Sequence, residues 1–197
     1  NQYFRYFDVK QAEAITLGGQ LSIRWVERDV NRFMNKLLGT DNKNYVVASD
    51  TDSIYLKLDT LVEKVCKGKS TKQIVEFLNK AAEDKIQKVI DKSFENLAKY
   101  VNAYQQKMIM KREAIANKGI WVAKKRYMMN VFDEEGIRFD IPKLKIMGVE
   151  AVKSSTPEVC RGKIKDAIRV IMNDSEDALI KFVNDFKEVF KTLSPEE

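Results

Sequence analysis

The chain has 197 residues, 44% of them hydrophobic, with a net charge of +6, two cysteines and no histidine. That length supports one good core, or one domain with a piece of another. The missing histidine excludes the usual catalytic triads and imidazole acid–base chemistry, and Cys66 with Cys160 supports neither a disulfide framework nor a Cys/His zinc site. No apolar run approaches the ~20 residues of a membrane span and no signal or transit segment opens the chain, so it reads as soluble and intracellular.

An aromatic lead-in, "QYFRYFD", is followed from Val9 to Leu38 by helical spacing in Trp25 or Val26, Val30, Phe33 and Leu37. Gly18 and Gly19 interrupt that pattern and would either kink the helix or mark the close approach of another backbone. Gly39 is a natural stop, and the polar "TDNKN" after it is a loop. Tyr45 to Ala48 then reads as a short apolar, β-branched strand, and Ile54, Leu56 and Leu58 alternate with Tyr55, Lys57 and Asp59 as a half-buried second, making a hairpin with "SDTDS" at its tip.

A long helical pattern runs from about Thr71 to Tyr104, with Ile74, Phe77, Ala81, Val89, Leu97, Val101 and Tyr104 as core positions. From Lys107 the period changes to that of strands: "KMIMKREAIA", "GIWVAK", "RYMMNVF" and "GIRFDI", broken at "NKG" and "DEEG". Between Lys107 and Lys145 ten lysines and arginines stand against five acids, so this β-meander is strongly basic. Such a concentration fits a polyanionic partner or a solvated lysine-rich surface. Met108, Met110, Met128 and Met129 read as packing. After "KSSTP" the pattern is helical again. Pro157 suits a first turn with Ser155 or Thr156 as cap, and Glu158 closes a capping box where Ser155 is the cap. A last helix from Ser175 to Leu193 would bury Leu179, Phe182, Phe186 and Phe190. The fold class expected is α+β, with a domain change near Gly148.

The two like charges at Asp50 and Asp52 need something to offset their repulsion, which is roughly 1 kcal/mol at 4 Å in water and more where solvent is excluded. A solvated turn could do so. So could a divalent cation held by oxygen ligands. Phosphatases of the haloacid-dehalogenase type carry such a pair into a loop of a parallel sheet, and glycosyltransferases set theirs behind an alternating β/α domain; neither context is present here. Nucleotidyl transfer by two metal ions places carboxylates on adjacent strands and needs a basic surface for a duplex nearby.

At these residues the chain resembles a known family. "DTDS" on a hairpin resembles motif C of family B DNA polymerases, usually Tyr-Gly-Asp-Thr-Asp-Ser. "KKRY", Lys124 to Tyr127, resembles the family's Lys-x-Tyr motif, and "PKLKIMGVEAVKSSTP" resembles its palm-to-thumb junction. The lead-in "FRYFDVKQAEAIT" and the phrase "KIMGVEAVKSSTP" are most similar to the replicative polymerases of T-even-like tailed bacteriophages. The resemblance implies a polymerase palm, with the catalytic hairpin and the meander as antiparallel sheet on long helices over residues 1–148. The helical beginning of the thumb would follow over 149–197.

It further implies a template-directed DNA polymerase that joins a dNTP to a primer 3′ hydroxyl with two Mg²⁺ ions, in the cytoplasm of an infected bacterium. Asp52 would ligate metal and Asp50 would support the catalytic site. Lys124, Lys125, Arg126, Tyr127, Lys145, Lys153, Ser154 and Ser155 would contact primer–template DNA. Thr51 and Ser53 would shape the turn, and Glu113 would be either an accessory carboxylate or a structural ion-pair partner. Motif A, the fingers with motif B, and the exonuclease domain are missing partners, a sliding clamp is another, and alone the chain should be inactive. Where the family has Tyr-Gly before the aspartates, this sequence has Ala48-Ser49. The rival reading is a non-catalytic module that binds nucleic acid through the meander.

Overall fold

A computed structural model describes residues 2–192 of the chain, which fold as two compact units divided between Glu113 and Ala114. The fold is α+β, with long helices, a two-stranded hairpin and a three-stranded antiparallel sheet.

In the first unit, α1 (Val9–Leu38) begins at Asp8, whose carboxylate accepts from the Lys10 amide, and ends at Gly39. Its buried residues Val26, Val30, Met34 and Leu38 recur every four positions and so form one stripe. Core status falls to Leu38, while Leu37 is about half exposed. Against that stripe packs the second half of a long helical stretch. It runs as α3 (Thr71–Ala81), a π-helical turn (Ala82–Ile86) and α4 (Gln87–Tyr100), contributing Ile86, Ile90, Phe94 and Leu97. Burying each such side chain stabilises the fold by roughly 1.5–3 kcal/mol. The buried Ser93 hydroxyl adds a polar tie, donating to Asp29 Oδ2 at 2.8 Å. A short helix, α2 (Asp59–Val65), buries Leu61 in the same core.

Several sequence expectations change here. Gly18 and Gly19 neither break nor crowd α1: the helix is continuous, and a Cβ at either position would meet nothing within 4 Å. The long helix stops at Tyr100, which leaves Val101 and Tyr104 exposed rather than in the core.

In the second unit the meander has three strands. They are β3 (Ala114–Ala123), β4 (Arg126–Glu134) and β5 (Ile137–Met147), in the order β3-β4-β5. "KMIMKRE" lies before the first strand, and "NKG" is no turn. Instead the pairing slips between Ala116 and Lys118 and β3 runs on, a β-bulge that absorbs the extra residue. "DEEG" is the turn expected, with Glu135 at φ 52° and Gly136 at φ 90°. It is held by the buried Asp133, which accepts from the Gly136 amide at 3.0 Å and pairs with Arg138.

A 3₁₀ turn (Glu150–Val152) then leads to α5 (Glu158–Asn173) and α6 (Glu176–Thr192). Met128, Val149, Ala151, Ile168 and Met172 form this unit's core, so α5 covers the sheet. Pro157 itself occupies the N-cap of α5, with no side-chain hydrogen bond, so the expected capping box is absent. α6 buries nothing completely: Leu179, Phe182 and Phe186 are half-buried and Phe190 is exposed. Leu193 lies outside the described residues.

Candidate active-site hairpin and nucleic-acid-binding turn

The acidic hairpin is set by the C-terminal half of α1. Asn31 and Asn35, one turn apart, point at the chain that enters β1 (Val46–Ser49). The Asn31 side-chain oxygen accepts from the amides of Tyr45 at 2.7 Å and Val46 at 3.0 Å. Asn35 accepts from the Lys43 amide at 3.0 Å and donates to the Lys43 carbonyl at 2.7 Å. Tyr45 is fully buried, and its hydroxyl hydrogen-bonds Thr40 at 2.8 Å. Together these bonds fix where the strand starts, and neither asparagine was singled out from the sequence. β2 (Ile54–Leu56) pairs antiparallel with β1, Ser49 opposite Ile54 and Ala48 opposite Tyr55. The hairpin therefore forms with Ala48-Ser49 in place of Tyr-Gly.

At the tip the Asp50 amide donates to the Ser53 carbonyl at 2.9 Å and closes the turn. Asp50 Oδ1 accepts from the Thr51 amide at 2.8 Å and the Thr51 hydroxyl at 3.3 Å, so one oxygen is spent on the loop itself. Asp52 is exposed, and among the described residues nothing donates to its carboxylate. No three His, Cys, Asp or Glu side chains among the described residues form a group able to hold a metal ion. Two hard oxygen donors at a tight turn nevertheless suit a hard divalent cation, which can fill its remaining positions from water and phosphate. The donor set fits, and it is partial.

The basic turn joins β3 to β4 in the second unit. Lys124, Lys125 and Arg126 are exposed around it, and Lys125 sits at φ 60°. A lysine in that left-handed region costs about 1–2 kcal/mol that glycine would not. Tyr127 is 8% exposed and stacks on Trp121, its partner across the strands, with ring centroids 6.2 Å apart. The Trp121 indole folds over Gly119, where a Cβ would fall 2.7 Å from the ring.

Gly148, at φ 64° just past β5, lies so close to the Lys125 carbonyl that no Cβ fits between them. The Lys-x-Tyr motif and the junction motif, read separately along the chain, are thus in contact. Glu150 completes the link: its Oε1 is 3.4 Å from Arg126 Nη1 and 2.8 Å from Lys153 Nζ. Lys153 above all, then the Glu150 amide and the Arg126 charge, hold the Glu150 carboxyl below its ordinary value.

Lys145 lies further along β5, paired with Glu134 Oε1 at 3.1 Å, while Lys143 takes Oε2 at 2.6 Å. Hydrogen bonds from Lys143 and Lys145 lower the Glu134 carboxyl in turn. Ser154 and Ser155 are exposed in the turn before α5, where the Thr156 amide donates to the Lys153 carbonyl at 3.2 Å. Glu113 is exposed at the end of the first unit. The structure thus gathers Asp50 to Ser53 on one hairpin, and Lys124 to Tyr127 with Lys153 beside another.

The fold and its two turns define an α+β protein with carboxylates on one hairpin and cations on the other. By sequence the chain is similar, along nearly its whole length, to one segment of the DNA-directed DNA polymerases of T-even-like phages, as its motifs lead one to expect. It is 43% identical over 186 residues to the DNA-directed DNA polymerase of Escherichia phage RB69, an alignment covering 89% of this chain and 21% of that polymerase. It is 38% identical over 203 aligned positions to the DNA-directed DNA polymerase of Enterobacteria phage T4, covering 98% of this chain and 23% of that polymerase. The chain thus spans under a quarter of the length of these relatives. No protein-family model matches it.

Proposed function

We propose that this chain is the motif C part of the palm, with the base of the thumb, of a DNA-directed DNA polymerase that replicates phage DNA in the cytoplasm of an infected bacterium. The observation that carries the reading is the hairpin tip, on a chain 43% identical to a segment of a phage DNA polymerase. There one carboxylate, Asp50, is engaged by the loop while the next, Asp52, has no partner among the described residues.

Asp52 would hold the metal and Asp50 would keep the tip in shape. Two Mg²⁺ ions bound there would supply charge neutralisation at the phosphates and activation of the primer hydroxyl. Lys124, Lys125, Arg126, Lys145 and Lys153 would position the primer–template through its phosphates, without reading sequence. Ser154 and Ser155 would add hydroxyl contacts and Tyr127 a contact near the primer end, with Glu113 as an accessory carboxylate. The remaining metal ligand, the fingers, the exonuclease and a sliding clamp would come from elsewhere in the replicating enzyme. Two carboxylates without a third make an incomplete site, so this chain alone would not extend a primer.

In a polymerase that contains this segment, Asp52→Asn should abolish primer extension, by about 10³-fold or more, and leave primer–template affinity nearly unchanged. Full activity in the variant would dismiss the metal role, and equal loss of DNA binding would make the residue structural. The rival reading, a binding module without chemistry, predicts no response of the hairpin to Mg²⁺. Chemical-shift changes at Asp50 to Ser53 on adding Mg²⁺ to the isolated chain would count against it.

A further inference from the structure

Three of the cations assigned to DNA, Arg126, Lys145 and Lys153, are each bonded to a glutamate, and the two glutamates involved differ. Glu134 spends a separate oxygen on each of its lysines. It and Lys145 are only 24% and 21% exposed, and all three residues belong to one sheet. Lys143, to which no DNA contact is assigned, keeps that pairing in place whatever Lys145 contacts. Glu150 uses a single oxygen, Oε1, for both of its partners, and these come from segments 27 positions apart in the chain. Its side chain is 52% exposed, and Arg126 and Lys153 are 46% and 36% exposed.

Resting on the nucleic-acid reading above, we infer that Arg126 and Lys153 form one phosphate-binding subsite for the DNA backbone, and that Glu150 Oε1 stands in for a phosphate oxygen until DNA displaces it. Two cations converging on one oxygen is the arrangement a phosphate oxygen would need. An anion tethered there keeps the two charges together when no DNA is present. The crowding of Gly148 against the Lys125 carbonyl fixes the backbone on both sides, so side-chain rotation alone releases the subsite. Exposed ion pairs of this kind are weak, so exchanging the carboxylate for a backbone phosphodiester, which also carries one negative charge, costs little.

The test is titration of the 197-residue chain with a fluorescently labelled primer–template duplex over a series of salt concentrations. Glu150→Gln removes the competing charge without altering shape. It should bind about two- to tenfold more tightly at low salt and steepen the dependence of log K on log salt by about one. In an Arg126→Gln, Lys153→Gln background the same change should have no effect, because nothing is left to release. Equal or weaker binding by Glu150→Gln in the native background would overturn the inference and leave the polymerase reading standing. Failure of the unaltered chain to bind the duplex even at low salt would overturn both.

Discussion

The two hairpins solve opposite electrostatic problems by opposite means. The acidic tip of β1–β2 is anchored at its base by hydrogen bonds from Asn31, Asn35 and Tyr45, and its turn, closed by the Asp50 amide, leaves Asp52 without a partner among the described residues. The basic tip of β3–β4 is positioned at the turn itself, by Gly148 against the Lys125 carbonyl and by Glu150 on Arg126. A site that needs a cation from solution gains by keeping its anion unneutralised. On the proposed function, a site for a polyanion can hold its cations on weak internal anions, since the many charges of a DNA backbone would displace them.

The sharpest way to break this contrast is at Gly148. Alanine there meets both the left-handed backbone and the Lys125 carbonyl, so Gly148→Ala should destabilise the second unit by about 2–4 kcal/mol. Gly136, also at positive φ but facing open space, serves as control and should lose only the backbone share. The chain has two tryptophans, Trp25 in the first unit and Trp121 in the second, so urea melts followed with one of them replaced by Phe separate the two responses. Equal losses for the two glycine variants would show that the turn is not held by this contact.

The next effect falls on the acidic side. Asn31→Ala leaves the amides of Tyr45 and Val46 without their acceptor at a buried position, which should cost the first unit about 1–3 kcal/mol. Hydrogen exchange at those amides should accelerate by a matching factor. Protection unchanged at both would mean that strand pairing alone sets the hairpin.

These residues also mark what the sequence could and could not reveal. The hairpin was legible because alternation and a turn cluster are local signals. The asparagines beneath it were not, because Asn on a helix looks like ordinary solvation until the loop it clamps is in place. "NKG" has turn chemistry, yet a strand can absorb it as a bulge when the register on either side is fixed by apolar pairing, as by Ala116 opposite Val131 and Ile120 opposite Met128 here. Gly148 read as the end of a strand, and its reason lies 23 positions earlier. The apolar spacing of Leu179, Phe182, Phe186 and Phe190 is that of a helix, and α6 is one. Spacing does not say what covers a face, and Phe190 remains 58% exposed.

The smallest effect distinguishes the two glutamates of the basic unit. Hydrogen bonds from Lys143 and Lys145 depress the folded-state value of Glu134 below the ordinary 4.5. Its contribution is therefore fully present above that ordinary value and is lost as pH falls through the depressed one. Glu134→Gln should lower the stability of the second unit at neutral pH by less than about 1 kcal/mol, and the two proteins should converge as the medium becomes more acid. Glu150 is lowered for a similar reason, but both of its partners are ones that DNA would claim, whereas Glu134 keeps Lys143. Adding primer–template should therefore return the titration of Glu150, followed by side-chain NMR, towards its ordinary value while that of Glu134 stays depressed. If both glutamates move together, the distinction between a structural pairing and a displaceable one fails, and the meander holds all its cations in the same way.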